Sequence, residues 1–536
     1  MSDRPDRIAE RVDALFAPWT AAGAPGGAVG VLLDGAPALH RTYGLANIEH
    51  GVPISQGTRF HIASVTKQIV AAALVLLEAR GRVSLDDPVA KHFPQLRAGG
   101  EASLRQLLNM TAGLRDTGEL MRLRGVWYRY PRMHEDMLEL LDRQTTLNFP
   151  IGERYIYTNI HFGLAGSLIE RLVDAPLDEA LRRLVFDPLG MADTLVRDAN
   201  TTLTPRLATG YIPDGDTWEI GVWSFGISGA GSVVSTIPDL LQWQKALLRG
   251  EIAGTPFARQ LAATGSLNDG TKLGYGQGLD TRVYRGVTVW SHGGSLPGYK
   301  AMLALVPDLE TGFVLLANRD DADPNRRYRD LLDILLDGHT DIPPPVLVAE
   351  PAARARLEGR WLDHASGELL TLTADADGVL QADKLGYALH LQPDGERRWR
   401  YDFGHFPVRL VEGDDGLDLD FGGQRGTFQR LSSPPTDLAL DDYVGTYSNP
   451  DLAAEHDVWH DDGRLIVRQG PACHAASTFP LEPLAPDIFH LQGGRPGWLY
   501  KAALRFERNA EGRVTALHVS TDRLKDLRLE RLSAPD

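Results

Sequence analysis

Ser64 and Lys67 form the only Ser-x-x-Lys pattern of the chain. Residues three apart share one face of a helix, so the serine hydroxyl and the lysine ammonium can meet. A buried lysine can lose its proton near neutral pH and accept one from serine, and the positive end of the helix dipole favours the resulting alkoxide. An N-cap serine followed by a solvated lysine would give the same pattern, so the pair alone does not decide between chemistry and structure.

A second candidate is the segment Tyr157-Thr158-Asn159, which comes just before a predicted helix. A tyrosine held between two ammonium groups can act as an acid or a base, and an asparagine can hydrogen-bond a substrate amide. The chain contains Tyr-x-Asn again at Tyr447–Asn449, where an internal repeat aligns it with Trp361–Asp363 and strand-end packing explains it. The motif is therefore not specific by itself.

The third candidate is His292-Gly293-Gly294, placed at the end of a predicted strand. Two glycines there allow the backbone of a ligand to approach closely. A single histidine is more often structural than catalytic. Chemistry is favoured by the order and spacing of the three motifs, because Tyr157 follows Ser64 by 93 residues and precedes His292 by 135.

Residues 1–338 must position these side chains, and their pattern predicts strands, then many helices, then strands. Short turns between the late strands imply antiparallel pairing, so we expect an α+β domain with one antiparallel sheet and flanking helices. The predicted strands are Ala28–Leu33, Ala38–Tyr43, Val287–Ser291, Lys300–Val306 and Gly312–Ala317. The predicted helices are Arg7–Phe16, Ser64–Arg80, Leu104–Met110, Met133–Arg143, Phe162–Val173 and Asp239–Arg249.

The chain beyond residue 338 changes character. Residues 339–350 contain Asp-Ile-Pro-Pro-Pro and few helix formers, which predicts a linker. Two similar modules follow at 351–436 and 437–536, since Leu357–Asp363 matches Tyr443–Asn449. Each module has room for about eight short strands. An antiparallel barrel would remove the exposed strand edges, so the sequence predicts two β-barrels.

The composition excludes several classes of protein. Of 536 residues 43% are hydrophobic, and 55 Lys plus Arg against 71 Asp plus Glu give a net charge of −16. An acidic chain repels phosphate groups, so we expect neither nucleic acid nor a membrane as a partner. The single cysteine, Cys473, excludes an internal disulfide. No membrane span and no secretory signal is visible, which predicts a cytoplasmic protein.

Taken together, the motifs resemble the serine penicillin-recognising family, which includes class C β-lactamases, D,D-peptidases and D-aminopeptidases. The resemblance covers about residues 10–335 and rests on FHIASVTKQIVAAAL around Ser64, LLNMTAGL before the second motif and FPIGERYIYTNIHFGLAG around Tyr157. His-x-Gly in place of Lys-Thr-Gly counts against a true β-lactamase. The two C-terminal modules are similar to those of bacterial D-aminopeptidases, which carry two eight-stranded barrels after the catalytic domain.

The resemblance implies chemical roles. Ser64 would be the nucleophile, and Lys67 and Tyr157 would share the proton transfer. His292 would polarise the tyrosine or contact the substrate. The backbone N–H groups of Ser64 and Ser295 would form the oxyanion hole. The expected substrate is a small peptide or an amino-acid amide with an N-terminal D-residue, with no cofactor and no metal ion, and the resemblance leaves room for a homodimer.

Substrate binding is expected from Asn159, from Gly294 and from a loop of the second barrel that is longer than its counterpart in the first. In D-aminopeptidases a loop of the last domain enters the catalytic cleft and supplies a carboxylate for the substrate's amine. We therefore expect residues 469–490 to line the cleft, with Asp487, or else Glu482, as the amine's partner. A solvated hairpin is the plain alternative.

Several other functions fit the same motifs. A family VIII-like carboxylesterase, a D-amino-acid amidase and a D,D-carboxypeptidase would use the same nucleophile. The alternative outside enzymes is a non-catalytic, penicillin-binding-like scaffold whose barrels bind a ligand. The intact set of serine, lysine and tyrosine argues against such a scaffold, and acylation of Ser64 would separate the two classes.

Overall fold

The computed structural model describes residues 4–126, 134–199, 201–222, 226, 228–344, 348–401, 406–431, 438–470, 477–493 and 500–532. The first region is an antiparallel sheet flanked by helices, and the tail forms two closed antiparallel barrels of eight strands each. The predicted fold class is therefore confirmed. The domain boundaries drawn from the sequence stay a prediction.

The predicted helices and strands lie close to their predicted positions, and the structure adds others that the sequence analysis did not predict, among them a 13-residue helix at Pro324–Leu336. The helices are α1 (Arg4–Phe16), α2 (Thr66–Ala79), α3 (Val89–His92), α4 (Leu104–Leu108), α5 (Thr117–Leu123), α6 (His134–Asp142), α7 (Asn159–Val173), α8 (Leu177–Leu181), α9 (Asp187–Leu189), α10 (Ile237–Arg249), α11 (Ala258–Ala262), α12 (Pro324–Leu336) and α13 (Pro351–Leu357). The strands of the first region are β1 (Gly27–Leu33), β2 (Ala36–Tyr43), β3 (Leu45–Asn47), β4 (Val52–Pro53), β5 (Phe60–His61), β6 (Leu195–Val196), β7 (Tyr211–Asp214), β8 (Thr217–Ile220), β9 (Val233–Ser235), β10 (Glu251–Ile252), β11 (Thr255–Pro256), β12 (Asp280–Tyr284), β13 (Val287–Leu296), β14 (Tyr299–Val306) and β15 (Thr311–Ala317).

The barrels use every later strand. The first barrel is β16 (Gly359–Leu362), β17 (Leu369–Ala374), β18 (Leu380–Lys384), β19 (Tyr387–Pro393), β20 (Arg398–Tyr401), β21 (Val408–Glu412), β22 (Leu417–Phe421) and β23 (Gln424–Arg430). The second is β24 (Gly445–Asn449), β25 (Ala454–Asp461), β26 (Arg464–Gln469), β27 (Thr478–Ala485), β28 (Ile488–Gly493), β29 (Tyr500–Arg508), β30 (Val514–Ser520) and β31 (Leu527–Arg531). In each barrel the last strand pairs with the first, so no edge is left open.

The main sheet of the first region has the order β12-β13-β14-β15-β1-β2, so its first and last strands along the chain are neighbours. β1 is buried along its whole length, because α1 and α12 cover one face of the sheet and α10 the other. A strand buried on both faces needs apolar residues at successive positions, which explains the run Ala-Val-Gly-Val-Leu-Leu. A Cβ on Gly30 would lie 2.4 Å from Ile237 Cγ2, so glycine lets α10 approach the sheet.

Helix α2 occupies the middle of the first region. Its residues from Thr66 to Leu77 are all buried, because α7, α8 and α11 surround it. It has 14 residues and is a core helix, as its apolar sequence predicts. Among the residues that the structure describes, no helix is both long and apolar enough to cross a bilayer.

Strand β13 is longer than predicted. The sequence placed His292-Gly293-Gly294 just after a strand ending at Ser291, whereas β13 continues to Leu296. Here the three residues stay in the sheet because they pair with residues 301–303 of β14.

Among the described residues, the second barrel contacts the first region through one of its ends. Consecutive strands run up and down, so successive turns lie alternately at the two ends. Asp451 accepts a hydrogen bond from Thr145, and Ser477 donates one to the Gly125 carbonyl oxygen. The turns at this end include 450–453 and 521–526, and Gly470 and Ser477 lie at the same end. The turns at the opposite end include 462–463, 486–487 and 509–513.

The two barrels differ in how their cores join the first region. Trp361 and Phe428 of the first barrel belong to the same buried cluster as the residues of α2. The second barrel has a separate cluster, to which α5 contributes Leu120 and Leu123. Helix α5 therefore packs on the second barrel, and its N-cap residue, Asp116, lies between the barrel and the site described next.

Candidate active site

Ser64 lies in the 3-10 turn Ala63–Val65 that leads into α2. Ala63 has a φ of +48°, a left-handed conformation that alanine rarely adopts. Such strain persists only where the surroundings enforce it. Here Ile62 donates its N–H to Val233 O, and Val65 donates its own to Ile62 O. The turn therefore holds Ser64 in a fixed position ahead of the helix.

Lys67 is fully buried one helical turn after Ser64. Its Nζ lies 3.1 Å from Ser64 Oγ, 2.9 Å from Asn159 Oδ1 and 2.7 Å from Ala230 O. Burial lowers the pKa of Lys67 well below its usual value, and the charge of Arg523 lowers it further. A neutral amine has two N–H groups and one lone pair. It can donate to Asn159 and Ala230 while it accepts the proton of Ser64.

Tyr157 shares this serine. It hydrogen-bonds to Ser64, and Lys67 Nζ lies 4.8 Å from the centroid of its ring. Burial raises the pKa of Tyr157 above its usual value, while the hydrogen bond to Ser64 and the charge of Arg523 lower it in part. A lysine with a lowered pKa and a tyrosine with a raised pKa therefore face one hydroxyl, as a base and an acid would.

Asn159 is the first residue of α7 and joins the same group. Its side-chain oxygen accepts a hydrogen bond from Lys67, and its N–H donates to Asp116 Oδ2 at 2.7 Å. The other carboxylate oxygen of Asp116 accepts from the N–H of Glu119 as the N-cap of α5. One buried carboxylate thus anchors the starts of two helices. The side-chain NH2 of Asn159 is the group that can donate to a substrate carbonyl.

His292 lies beside two tyrosines, with its ring centroid 6.3 Å from that of Tyr157, the predicted partner, and 5.7 Å from that of Tyr275. Its Nδ1 lies 2.7 Å from Gly293 O and must donate, so its Nε2 accepts from the Tyr275 hydroxyl at 3.1 Å. The Tyr275 ring centroid lies 6.4 Å from that of Tyr157, and the two rings meet edge to face. His292 therefore orients Tyr275, which packs on Tyr157. Sequence reasoning missed Tyr275, because no motif surrounds it.

Gly294 lies against the turn that carries Ser64. A Cβ on Gly294 would lie 2.2 Å from Ile62 O, so only glycine fits. The next residue, Ser295, pairs with Lys300 of β14, whose Nζ reaches Ser295 Oγ at 2.9 Å. β13 therefore runs beside the Ser64 turn. The oxyanion hole of the Ser64 and Ser295 N–H groups stays a prediction that this neighbourhood allows.

The first barrel touches the tyrosine segment through its β22–β23 turn. Gly422 O accepts a hydrogen bond from Tyr155 N at 3.0 Å. The ring of Phe406 lies 5.0 Å from that of Tyr155. A Cβ on Gly423 would lie 3.0 Å from Glu153 O, so this turn is pressed against the segment.

The second barrel reaches the site through Arg523 in the β30–β31 turn. The guanidinium carbon of Arg523 lies 5.2 Å from the centroid of the Tyr157 ring. Asn148 of the first region donates from Nδ2 to Arg523 O at 3.2 Å and accepts from Lys525 N at 2.8 Å. No local pattern points to this arginine, because only closure of the barrel brings the turn to Tyr157.

The structure places neither predicted carboxylate in the cleft. Asp487 lies in the β27–β28 turn, at the barrel end opposite the first region, where Arg508 Nε donates to it at 2.9 Å and Tyr443 at 3.0 Å. Glu482 lies within β27 and forms an ion pair with Arg360 of the first barrel at 2.6 Å. The prediction that either residue binds the substrate's amine is therefore corrected, because the alternation of turns carries Asp487 away from the site.

The predicted cleft loop is described only at its ends. Residues 471–476, including Cys473, lie outside the described residues. Ser477 contacts Gly125, and a Cβ on Gly470 would lie 2.2 Å from Arg124 O. The ends of the loop therefore pack on the residues after α5. Among the described residues, no cluster of three or more His, Cys, Asp or Glu side chains is placed to hold a metal ion.

Comparison with protein families agrees with this architecture. The Beta-lactamase family model matches residues 8–337, which is more than half of the chain. The chain therefore belongs to the Beta-lactamase family. A second family, described as a domain of unknown function (DUF3471), matches residues 429–531 and so includes the strands of the second barrel.

Similar proteins extend the match over most of the chain. The D-aminopeptidase of Brucella anthropi is 28% identical over 92% of this chain and 93% of its own. A D-aminopeptidase of Cereibacter sphaeroides is 29% identical over 87% of each chain. The solved D-amino acid amidase from Ochrobactrum anthropi SV3 is 25% identical, with a TM-score of 0.53, over 62% of this chain and 99% of its own. The octameric penicillin-binding protein homologue from Pyrococcus abyssi shares the fold at 22% identity, with a TM-score of 0.56 over 78% of this chain and 100% of its own.

Proposed function

We propose that this protein is a serine hydrolase that releases N-terminal D-amino acids from peptides, amides or esters. The observation that carries the proposal is the buried Lys67, whose Nζ contacts Ser64 Oγ and is held by Asn159 and Ala230. The D-aminopeptidase relatives support it, because they match the barrels as well as the first region.

The reaction follows from the protonation states. Ser64 Oγ attacks the substrate carbonyl carbon while its proton passes to Lys67 Nζ, and the N–H groups of Ser64 and Ser295 stabilise the oxyanion. The C–N bond then breaks, and the leaving amine takes a proton from the Tyr157 hydroxyl, which is refilled from Lys67. Water attacks the acyl-enzyme by the same route in reverse. The two groups titrate as a coupled pair.

Substrate orientation falls to the residues around this pair. The NH2 group of Asn159 would hold the acyl-side carbonyl, and Gly294 would let the substrate backbone lie along β13. His292 would act through Tyr275 on the ring of Tyr157.

The cytoplasmic location and the homodimer also remain proposals.

A D-amino-acid amidase, a carboxylesterase and a D,D-carboxypeptidase are the alternatives within the same chemistry. The amidase neighbour matches only 62% of this chain, whereas the D-aminopeptidases match its barrels too. That difference favours the aminopeptidase. A non-catalytic scaffold would not need a buried lysine at 3.1 Å from a serine hydroxyl.

The deciding experiment compares hydrolysis of D-Ala-p-nitroanilide, L-Ala-p-nitroanilide and p-nitrophenyl butyrate. We expect the D-anilide to be cleaved well above the L-anilide. Ser64→Ala should abolish turnover with the fold intact, and Lys67→Arg should fail as well, because arginine keeps its proton at any working pH. Ester hydrolysis without D-anilide hydrolysis would instead favour the esterase. Activity of Ser64→Ala within about tenfold of the wild type would remove this serine from the mechanism.

A further inference from the structure

Two basic side chains lie at the ring of Tyr157, and one of them comes from the second barrel. Lys67 Nζ lies 4.8 Å from the ring centroid, and the guanidinium carbon of Arg523 lies 5.2 Å from it. Arginine keeps its proton at any working pH, whereas a buried lysine can lose its own. Repulsion between the two positive charges is therefore relieved when Lys67 loses its proton.

The turn that carries Arg523 is held from two sides. Asn148 binds it through both ends of one amide, at Arg523 O and at Lys525 N. Lys525 Nζ also lies 2.7 Å from Glu368 of the first barrel, a carboxylate that is 1% exposed. These contacts hold the turn in the position that places the guanidinium beside the Tyr157 ring.

The surrounding charges keep Arg523 protonated without removing it from the ring. Asp522 pairs with Arg523 Nε at 3.3 Å, and the Arg523 side chain is 32% exposed. Burial lowers the pKa of Arg523, but Asp522 and Asp116 outweigh it and raise the pKa overall. The titratable groups that face Lys67, Tyr157 or Arg523 are Asp116 and Glu119 of α5, His161 of α7, Tyr275, Asp280 of β12, His292 of β13 and Asp522 of the same turn.

We propose that Arg523 is a positioning residue of this active site: the fixed positive charge that the second barrel sets over Tyr157 keeps Lys67 in the neutral form that accepts the Ser64 proton. The inference rests on the proposed function, because it needs Ser64 as nucleophile and Lys67 as base. It adds that the base is tuned by a residue outside the region matched by the Beta-lactamase family.

The test compares Arg523→Gln, Arg523→Lys and the wild-type full-length chain across pH 5–9. The first readout is kcat/KM for p-nitrophenyl butyrate and D-Ala-p-nitroanilide. The second is the rate at which a fluorophosphonate acylates Ser64, followed by intact mass. The matched control is Arg513→Gln, which removes an exposed arginine at the far end of the same barrel.

Removal of a nearby positive charge raises the pKa of Lys67, so the acidic limb of each profile should move to higher pH in Arg523→Gln. We expect a shift of about one unit, which is about a tenfold loss of rate on that limb. Arg523→Lys should restore the limb, and Arg513→Gln should leave it in place. An unmoved limb, or a lysine variant that behaves like the glutamine variant, would overturn the proposal.

A second variant covers the case in which Arg523→Gln fails to fold. Asn148→Ala keeps the arginine but releases its turn, so the limb should move in the same direction by a smaller amount, and an unmoved limb would overturn the proposal. The acylation readout needs no D-amino-acid substrate. A chain that acylates with the expected shift but does not cleave D-Ala-p-nitroanilide would refute the D-aminopeptidase and keep the role of Arg523.

Discussion

The same turn of each barrel, between its seventh and eighth strands, reaches the tyrosine segment, yet the two turns act differently. In the first barrel this turn has two residues, Gly422 and Gly423, and it offers a carbonyl oxygen to Tyr155. In the second it has six residues, 521–526, and it offers the guanidinium of Arg523. The shared topology thus places the same turn of each barrel beside the tyrosine segment. The length of the turn then decides whether its backbone or a side chain makes the contact.

The barrels are also joined to each other in two unlike ways. Glu368 of the first barrel is buried between Lys384, at 2.6 Å, and Lys525 of the second barrel, at 2.7 Å. Lys501 of the second barrel pairs with Asp383 of the first at 2.6 Å. Glu482 and Arg360 form a further ion pair between the barrels, with side chains 49% and 35% exposed. The buried carboxylate supports the turn of Arg523, whereas the exposed pair lies in solvent.

The largest effect is expected from Glu368→Gln. It leaves two buried lysines, 384 and 525, facing each other without a counter-charge, which costs about 3–5 kcal/mol. Thermal unfolding of the full-length chain should show this loss. Glu482→Gln is the control, since an exposed pair contributes about 0–1 kcal/mol. Equal losses in the two variants would show that the buried carboxylate does not join the barrels.

Glu119→Gln should stabilise the interface of α5 with the second barrel at alkaline pH. Burial raises the pKa of Glu119 from 4.5 to about 7, Arg122 lowers it in part, and Asp522 and Asp116 raise it. The folded chain therefore holds this proton more tightly than the unfolded chain, and the free energy of unfolding falls as the pH rises from 4.5 to about 7. The variant should gain up to about 3 kcal/mol at pH 8.5 and little at pH 4.5.

The control for this variant is Glu139→Gln on the neighbouring helix α6, where the carboxylate is 66% exposed and pairs with Arg143. Melting temperatures at the two pH values give the comparison. A gain for Glu119→Gln that is the same at both pH values would contradict a buried titrating carboxyl group.

Gly423→Ala tests the turn of the first barrel. Gly423 has a φ of +88°, and an added Cβ would lie 2.6 Å from Leu267 Cδ1 and 3.0 Å from Glu153 O. We expect about 1–3 kcal/mol of destabilisation and a lower kcat, because the tyrosine segment must move. Gly386→Ala is the matched control, with a φ of +93° in the same barrel and open space around the new Cβ. If kcat falls by the same factor in both variants, the contact of this turn with the tyrosine segment does not affect catalysis.

The smallest effect is expected from Asp487→Asn. The carboxylate lies at the far end of the second barrel with Arg508 and Tyr443. The ratio of D-Ala-p-nitroanilide to ester hydrolysis should stay within about twofold of the wild type, because no substrate contact is lost. A selective fall in anilide hydrolysis would return Asp487 to the role of amine partner.

Local patterns predicted more of this molecule than long-range ones. Ser64 and Lys67 stand one turn apart on a helix, so their contact is visible in the sequence. The repeat of Leu357–Asp363 at Tyr443–Asn449 predicted two barrels, because barrel closure follows from strand number and edge removal. Neither pattern says which end of a barrel faces the site.

The errors came from that missing information. Extra residues near 469–478 suggested a functional loop, and the nearby Asp487 was chosen from its position in the sequence. The end of the barrel that a residue occupies depends on how many strands precede it, so Asp487 and Arg523 lie at opposite ends. The contact of His292 with Tyr275 depends on packing between segments and could not be predicted either.

Helix α2 has a consequence for how the chain matures. A lysine in solvent holds its proton, and Lys67 loses this behaviour only when the elements around α2 enclose it. A nascent or partly unfolded chain therefore carries an unreactive serine, which becomes a nucleophile only when the elements around α2 have packed. Labelling of Ser64 during refolding would then report the fraction of molecules in which the elements around α2 have packed.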